Sequence, residues 1–230
     1  MEVFVGTSGW LYGWNENQSL EWYVENSGLN AIELNASFYR FPFPNAVKSW
    51  VIKGKELRWS VKVNRWVTHV FRFNEKAFDL WKKFEKIFEP MSHLIDFYLF
   101  QIPPFMKTSF ASKIDSFAKK TELGQMFALE IRNLTWFEIK WVKWASDIGV
   151  TLVSVDCPDL PLDVFNTSGY VYERMHGREG WYTHYYSDDE LKEVAKKIIG
   201  AKPNKAYVFF NNDHAMLNNS RKMLAMLTET

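Results

Sequence analysis

Short apolar segments alternate with longer amphipathic segments along the chain. The apolar segments have the length of strands and occur at residues 3–7, 31–35, 59–64, 96–101, 127–132, 151–156, 170–176 and 206–211. Between most of them, apolar residues recur every three or four positions, which predicts helices at residues 45–53, 76–88, 109–120, 135–148, 188–199 and 215–227. Residues 158–169 are rich in proline and aspartate and are predicted to form a loop.

Two of the predicted helices carry start signals. Thr135 followed by Glu138 has the spacing of a capping box, in which each side chain bonds the other residue's backbone amide. Ser187 or Asp188 is the expected N-cap of the helix at 188–199. These signals place helix starts close to positions 135 and 188.

The order of the elements predicts an α/β fold with parallel strands. Eight strands, with a helix after the last one, favour a single-domain (β/α)8 TIM barrel over residues 1–230. An open, doubly wound sheet is the alternative. No linker-like stretch or internal repeat divides the chain, so we expect one domain.

Polar residues two positions apart occur near the ends of six predicted strands. Residues i and i+2 of a strand point to the same face. The pairs are Glu33 with Asn35, Lys62 with Asn64, Glu130 with Arg132, Ser154 with Asp156, Arg174 with His176, and Asn211 with Asp213. In a barrel these strand ends meet at the active-site face, so the pattern predicts one charged cavity. A solvated rim or a structural layer of ion pairs is the alternative.

Composition narrows the functional classes. The chain has 28 Lys and Arg against 27 Asp and Glu, a net charge of +1, which disfavours polybasic nucleic-acid binding. Its one cysteine, Cys157, excludes an intrachain disulfide and a cysteine-based zinc site. Glu2 stands where a signal peptide is basic, and no apolar run reaches the roughly 20 residues of a membrane span, so we expect a cytoplasmic protein that does not bind membranes.

No metal or cofactor is predicted. The candidate ligands on the strand ends are interleaved with Lys62, Arg132 and Arg174, which repel a cation. The sequence has no histidine spacing typical of zinc enzymes and no glycine pattern typical of nucleotide binding. The 40 aromatic residues, 17% of the chain, suggest instead that some rings line a site for a ring-shaped ligand.

The sequence therefore favours an enzyme for a small anionic or sugar-like substrate, with hydrolase, lyase and isomerase chemistry all open. The predicted catalytic residues are Glu33, Glu130 and His176, with His176 moving protons near neutral pH. The predicted substrate-binding residues are Asn35, Tyr39, Lys62, Arg132, Trp136, Asp156, Arg174, Asn211, Asn212 and Asp213. A guanidinium beside Glu130 is expected to lower its pKa, and Arg174→Ala is expected to weaken ligand binding more than folding.

Two other functions are weighed. A nucleic-acid-binding protein or nuclease would use a basic stretch near the third strand, with tryptophans available to stack on bases. The residues concerned are Lys53, Lys55, Arg58, Arg65, Arg72, Trp59 and Trp66. A non-catalytic module would bind a small molecule in the same cavity. The sequence does not indicate an oligomeric state.

Several motifs resemble one known family, in the same order along the whole chain. They are Gly6-Thr7-Ser8-Gly9-Trp10, Glu33-Leu34-Asn35, Ser37-Phe38-Tyr39-Arg40 with Pro42, Thr68-His69, Phe100-Gln101-Ile102-Pro103-Pro104, Glu130-Ile131-Arg132 with Trp136-Phe137, Arg174-Met175-His176-Gly177 and Phe210-Asn211-Asn212-Asp213. The set is similar to the YecE-like family of unknown function. The resemblance implies a TIM barrel. It fixes no reaction, although an analogy to barrel endonucleases that act on abasic DNA has been suggested for that family.

Overall fold

Eight parallel strands pair in chain order, and the last pairs with the first. The computed structural model describes residues 1–229. The strands are β1 Glu2–Thr7, β2 Ala31–Leu34, β3 Arg58–Lys62, β4 Ile95–Gln101, β5 Phe127–Glu130, β6 Thr151–Asp156, β7 Tyr170–Met175 and β8 Lys205–Phe210. Pairing of β1 with β8, from Glu2 opposite Lys205 to Thr7 opposite Phe210, closes the sheet. The predicted barrel is confirmed, and the open sheet is excluded.

Helices cover the outside of the barrel. Within residues 1–229 they are α1 Leu20–Asn26, α2 Pro44–Lys53, α3 Glu75–Phe88, α4 Ala111–Thr121, α5 Ile139–Asp147, α6 Asp188–Gly200 and α7 Met216–Thr228. The connection from β6 to β7 contains no helix, as its composition predicts. Its extended chain lies against β6, where the Thr167 hydroxyl donates to the carbonyl of Val150 and accepts from the amide of Leu152.

The two helix-start predictions have different outcomes. Ser187 caps α6 in a complete capping box with Glu190, as expected. The box at Thr135 is wrong, because Asn133 takes the Thr135 amide and caps a separate 3-10 turn before α5. Helix α5 therefore begins at Ile139, later than the start near position 135 that the Thr135–Glu138 spacing predicts.

Two apolar layers support the strands. Between the strands and the helices lie large buried rings, among them Trp59, Trp81 and Phe84. Inside the barrel, Phe97 and Tyr207 pack edge to face with 4.8 Å between ring centroids. This inner layer fills the middle of the barrel, so the polar residues above it meet at the carboxyl-end mouth.

Gly6 permits the contact between β1 and β2. A Cβ on Gly6 would lie 2.2 Å from the carbonyl oxygen of Ala31, closer than any side chain can approach. The glycine therefore sets the position of β1 beside β2, where Ser8 reaches the site.

Candidate active site

Arg174 links two carboxylates inside the barrel mouth. It lies on β7, while Glu33 lies on β2 and Glu130 on β5, and all three side chains are fully buried. Arg174 donates from Nη2 to Glu33 Oε1 at 2.6 Å and from Nε to Glu33 Oε2 at 2.9 Å. Its Nη1 forms a short contact with Glu130 Oε2. Buried charges need such partners, because an unpaired one is strongly destabilising.

Strand register explains why these residues face inwards. Glu130 pairs with Val153, and Arg174 pairs with Val155, so the two valines of β6 share their inward direction. Ser154 and Asp156 must then point outwards. The prediction that they face the cavity is wrong. Asp156 instead accepts from Arg178 Nε at 3.0 Å and from the Tyr186 hydroxyl at 2.9 Å, outside the barrel.

Glu130 is held as a carboxylate by its neighbours. Arg132 Nε forms a second short contact, on the Oε1 atom of Glu130. Burial alone would raise the pKa of Glu130, but the charges of Arg132 and Arg174 outweigh it and lower the pKa to about 2. The expected lowering is thus confirmed, and it suits a base or an electrostatic role better than a general acid.

His176 is a hydrogen-bond acceptor between the two arginines. Its Nε2 lies 3.1 Å from Arg132 Nη2 and 3.2 Å from Arg174 Nη1, and both guanidinium atoms are donors. Burial and the positive charges nearby hold the pKa of His176 well below its ordinary value. The imidazole is therefore neutral with its proton on Nδ1, which the side-chain oxygen of Asn211 is placed to accept after an amide flip. This disfavours the predicted proton shuttling near neutral pH.

An aromatic lid covers Arg132. The Trp181 ring lies 4.4 Å from Arg132 Cζ, and its indole nitrogen donates to Asp159 Oδ2 at 2.6 Å. Trp181 follows β7 and Asp159 follows β6, so the bond joins the two loops above the ion pairs. Arg132 Nη1 has no hydrogen-bond partner within residues 1–229, and the side chain is 8% exposed. Of the two arginines, Arg132 is the one with a free donor.

Three hydroxyls complete the surroundings of Glu33 and were not among the predicted site residues. Ser8 Oγ donates to Oε1 and the Tyr172 hydroxyl to Oε2, each at 2.6 Å. Ser60 Oγ lies 2.7 Å from the Tyr172 hydroxyl. Tyr172 and Ser60 stand two positions before Arg174 and Lys62, so the same alternation that identifies the strand ends would have identified them.

The other predicted residues are divided between the mouth and other places. Asn35 and Lys62 lie in the mouth, with Asn35 Oδ1 3.5 Å from Arg174 Nη2 and Lys62 over the Phe38 ring. Trp136 is buried in the core and donates to the carbonyl of Met106 at 2.9 Å. Asn212 is buried and donates to the carbonyl of His184. Neither of these two contacts the ion pairs.

Two further predicted residues lie at the edge of the mouth. Tyr39 is 71% exposed and packs on Phe38. Asp213 pairs with the exposed His214 at 3.5 Å rather than with an arginine. Asp156 and Asp213 do not contact the buried ion pairs. The mouth therefore holds two carboxylates, Glu33 and Glu130, and three cationic side chains, Lys62, Arg132 and Arg174.

A cavity of about 410 Å³ lies beside the ion pairs, between the loops that follow β1 and β2. Ser8 and Asn35, which contact Glu33 and Arg174, belong to its lining. Trp10, Arg40 and Trp50 are also part of the wall, which is mostly apolar. Its size is that of pockets for small organic molecules.

Residues 4–230 match the model of a family described as a protein of unknown function, DUF72. The chain belongs to the DUF72 family. YecE is another name for the same family, so the resemblance of the motifs is confirmed. No curated protein is similar to the sequence at a significant level.

Solved structures of DUF72 proteins have the same fold. One from Thermotoga maritima is 24% identical, with a TM-score of 0.82 over 99% of this chain and 100% of that one. One from Enterococcus faecalis is 19% identical, with a TM-score of 0.80 over 99% and 98%. A D-psicose 3-epimerase from Clostridium cellulolyticum, solved with D-tagatose, is 14% identical, with a TM-score of 0.58 over 100% and 99%. At these identities the likeness shows the fold alone.

Among residues 1–229 of the DUF72 chain, no helix combines the length and apolar character required to cross a bilayer. No group of three or more His, Cys, Asp and Glu side chains there has the arrangement of a metal site. Glu33 and Glu130 are instead bonded to guanidinium groups.

Proposed function

We propose that this DUF72 protein is an enzyme that binds a small anionic or sugar-like substrate at the barrel mouth. The observation that carries the proposal is Arg132, which keeps a free Nη1 at the top of the buried ion pairs while Trp181 covers its face. A guanidinium with a free donor and restricted solvent is suited to a phosphate or carboxylate. An aromatic face beside it is suited to a sugar ring.

Charge balance supports an anionic ligand. Because Asp156 and Asp213 lie outside the network, the mouth carries one more cationic side chain than carboxylates when Lys62 is protonated. His176 adds no charge, since its pKa is well below neutral. An excess positive charge in a site of low dielectric favours an incoming anion.

The carboxylates supply the reactive groups. Glu130 is ionised at neutral pH and adjoins both arginines, so it can accept a proton from a bound substrate or stabilise positive charge. The neighbouring cavity has room for the rest of the ligand. Proton transfer on a bound sugar-like molecule is the chemistry that this arrangement favours.

Calorimetric titration tests the binding part of the proposal. The probes are inorganic phosphate, a neutral hexose and the corresponding hexose 6-phosphate. We expect Arg132→Met to weaken phosphate binding at least about tenfold, the typical loss of a charge-assisted hydrogen bond. Arg58→Met is the matched control, because Arg58 pairs with Asp96 at the opposite end of the barrel. Equal losses in both variants, or no binding by the wild type, would overturn the proposal.

A ring-specific control accompanies that titration. Trp181→Leu removes the aromatic face but no charge. We expect it to weaken hexose 6-phosphate binding more than inorganic phosphate binding, because the free ion does not use the ring. An identical loss for both probes would mean that the ring only orients Arg132 and that the substrate is not sugar-like.

Catalysis separates an enzyme from a binding module. A probe that binds is incubated with the full chain and followed by proton NMR. We expect product formation that Glu130→Gln abolishes while binding persists. Binding without turnover of any bound probe would support the non-catalytic module instead.

One observation favours nucleic acid as a second candidate. Trp66 and Phe105 are about half exposed, at 49% and 52%, and Arg72 lies over the Phe105 ring at 4.9 Å. Exposed rings with a guanidinium are typical of surfaces that stack unpaired bases. Titration of duplex and abasic oligonucleotides at two salt concentrations tests it, since phosphate contacts give a steep salt dependence. A flat salt dependence or an unchanged Kd in Trp66→Leu would exclude this candidate.

A further inference from the structure

Lys62 is a buried amine without a carboxylate partner. It ends β3 in the barrel mouth and is 9% exposed, so it touches solvent. Within residues 1–229 its Nζ forms neither an ion pair nor a hydrogen bond, and it lies 4.5 Å from the centre of the Phe38 ring. A lysine that binds an anion by charge is ordinarily hydrated or paired. Lys62 instead has an apolar ring as its main neighbour.

His69 also packs against this ring. Its imidazole packs edge-on against Phe38, with 5.2 Å between the ring centres. Its Nδ1 lies 2.8 Å from the hydroxyl of the fully buried Thr68, in a π-helical turn of residues Trp66–Val70. Such turns are rare in proteins, and those that do occur are often found at functional sites. Burial and the charges of Lys62 and Arg65 lower the pKa of His69 to about 4, so the ring is neutral.

We propose that Lys62 is a nucleophilic amine that condenses with the aldehyde or ketone group of the substrate, beside Phe38 in the barrel mouth. The proposal rests on the proposed small-molecule function and names its substrate class, a carbonyl compound with an anionic group. Arg132 would hold the anionic group while Lys62 takes the carbonyl carbon.

The charge state of Lys62 supports this role. Burial lowers its pKa most, Arg174 lowers it further, and the carboxylates only partly compensate, which leaves the pKa at about 7. At neutral pH about half of the amine is therefore unprotonated and able to attack. The charged groups that face it are Glu33 on β2, Glu130 and Arg132 at the end of β5, and Arg174 on β7.

The step needs no reactant besides a proton from solvent. The nitrogen lone pair of neutral Lys62 forms a bond to the carbonyl carbon, and one proton of the amine moves to the carbonyl oxygen to give a carbinolamine. A solvent proton then converts the hydroxyl to water, which leaves, and the proton that remains on nitrogen gives a protonated imine between Lys62 and the substrate. The imine draws electrons from the adjacent carbon, so a proton there becomes easier to remove. Glu130, ionised in the same mouth, is the base available for it.

Reductive trapping tests the proposal on the full chain. The protein is incubated at pH 7 with limiting glyoxylate or glyceraldehyde and cyanoborohydride, and labelled lysines are located by peptide mass spectrometry. A trapped imine adds the mass of the probe less one oxygen atom. We expect Lys62 to be labelled at least about tenfold faster than Lys205, because Lys62 has no ion-pair partner whereas Lys205 is paired with Glu2 at 3.3 Å. Lys205 is the comparison because it also lies over a phenylalanine ring, Phe4, at the opposite end of the barrel.

The pH dependence provides a second measurement. Raising the pH to 10 increases the unprotonated fraction of an ordinary lysine side chain many-fold, so the preference for Lys62 should fall. Methylation with 13C-formaldehyde followed by NMR titration gives the pKa of Lys62 directly, with Lys62→Arg assigning the signal. A pKa below about 9 supports the proposal, whereas 9 or above overturns it, as does labelling of Lys62 no faster than Lys205.

The outcomes distinguish this inference from the proposed function. Arg132-dependent phosphate binding without selective labelling of Lys62 leaves the proposed function intact and removes the carbonyl chemistry. Selective labelling without phosphate binding shows a reactive amine in a site that does not take anions, and the proposed function then fails.

Discussion

Arg174 and Glu33 share two hydrogen bonds, at 2.6 and 2.9 Å, that join β7 to β2 through the interior of the barrel. The same guanidinium also contacts Glu130 on β5. One arginine therefore ties together three strands that are not neighbours in the sheet. Every nitrogen of its side chain is engaged, which leaves it no free donor for a ligand.

Arg174→Met is accordingly expected to affect folding before binding, the reverse of the expectation from the sequence. The change leaves Glu33 and Glu130 buried with one partner fewer, which typically costs about 3–5 kcal/mol. Urea denaturation measures it. Arg58→Met, which removes a partly exposed ion pair with Asp96, should cost about 1 kcal/mol or less. Similar losses in the two variants would show that the interior pairs contribute no more than a surface pair.

Glu130 should make the protein sensitive to acid. Its pKa is about 2 in the folded state against an ordinary 4.5, so the unfolded chain binds the proton more readily. The corresponding stability is present above about pH 4.5 and is lost as the pH falls towards 2. From the shift it amounts to about 3 kcal/mol. Denaturation of the wild type and Glu130→Gln at pH 7, 5 and 3 should show a shallower decline in the variant. Parallel curves would contradict the assignment.

Glu173 should act in the opposite direction. It is buried on the outer face of β7, its Oε2 has no hydrogen-bond partner within residues 1–229, and burial and Asp156 raise its pKa well above the ordinary value. The folded state then holds a proton that the unfolded chain releases above about pH 4.5. Its contribution to stability therefore falls as the pH rises from that point.

Glu173→Gln is expected to remove this decline. The free energy of unfolding of the variant, relative to wild type, should increase by about 1–3 kcal/mol between pH 4 and pH 8. Denaturation at the two pH values measures the change. Glu179→Gln is the control, since Glu179 lies in the loop after β7. A difference that does not vary with pH would mean that Glu173 ionises normally.

The two helix starts give a matched pair of substitutions. Ser187→Ala removes the N-cap of α6 and should cost about 1 kcal/mol. Thr135→Ala removes a hydroxyl that bonds only the exposed Asn133 side chain, and should cost less than about 0.5 kcal/mol. Thermal or urea unfolding distinguishes them. Equal effects would show that the capping box contributes little.

For β2, β5 and β7, the polar pairs at the strand ends correctly indicated which residues face the barrel interior. For β6 the same reasoning failed. On β2 and β5 the face opposite the polar pair is apolar, whereas on β7 it also carries the charged Glu173. β6 is buried at all six residues, as β2 and β5 are at all of theirs, so burial does not tell its two faces apart, and its polar pair lies on the outer face. Ser154 and Asp156 find partners outside the barrel, at the amide of Phe165 and at Arg178. These partners lie in the β6–β7 connection and in the loop after β7, and the sequence alone does not show how either segment packs.

Aromatic residues were the other uncertain group. Trp136 and Trp181 both follow strand ends and look alike in sequence, yet one is buried against Trp141 and Trp144 and the other lies over Arg132. A tryptophan covers either an apolar or a charged neighbour equally well, because its ring is apolar and its face attracts cations. Whether a tryptophan is buried in the core or lies over an arginine is decided by packing between segments that are distant in sequence.

The connection between β6 and β7 also has a mechanical consequence. It is fastened to β6 by the hydroxyls of Ser154 and Thr167, and the buried Phe165 anchors it in the core. These anchors hold the loop that carries Asp159, and Asp159 in turn holds the Trp181 indole over Arg132. The cover over Arg132 therefore depends on contacts of β6, a strand that supplies no side chain to the buried ion pairs.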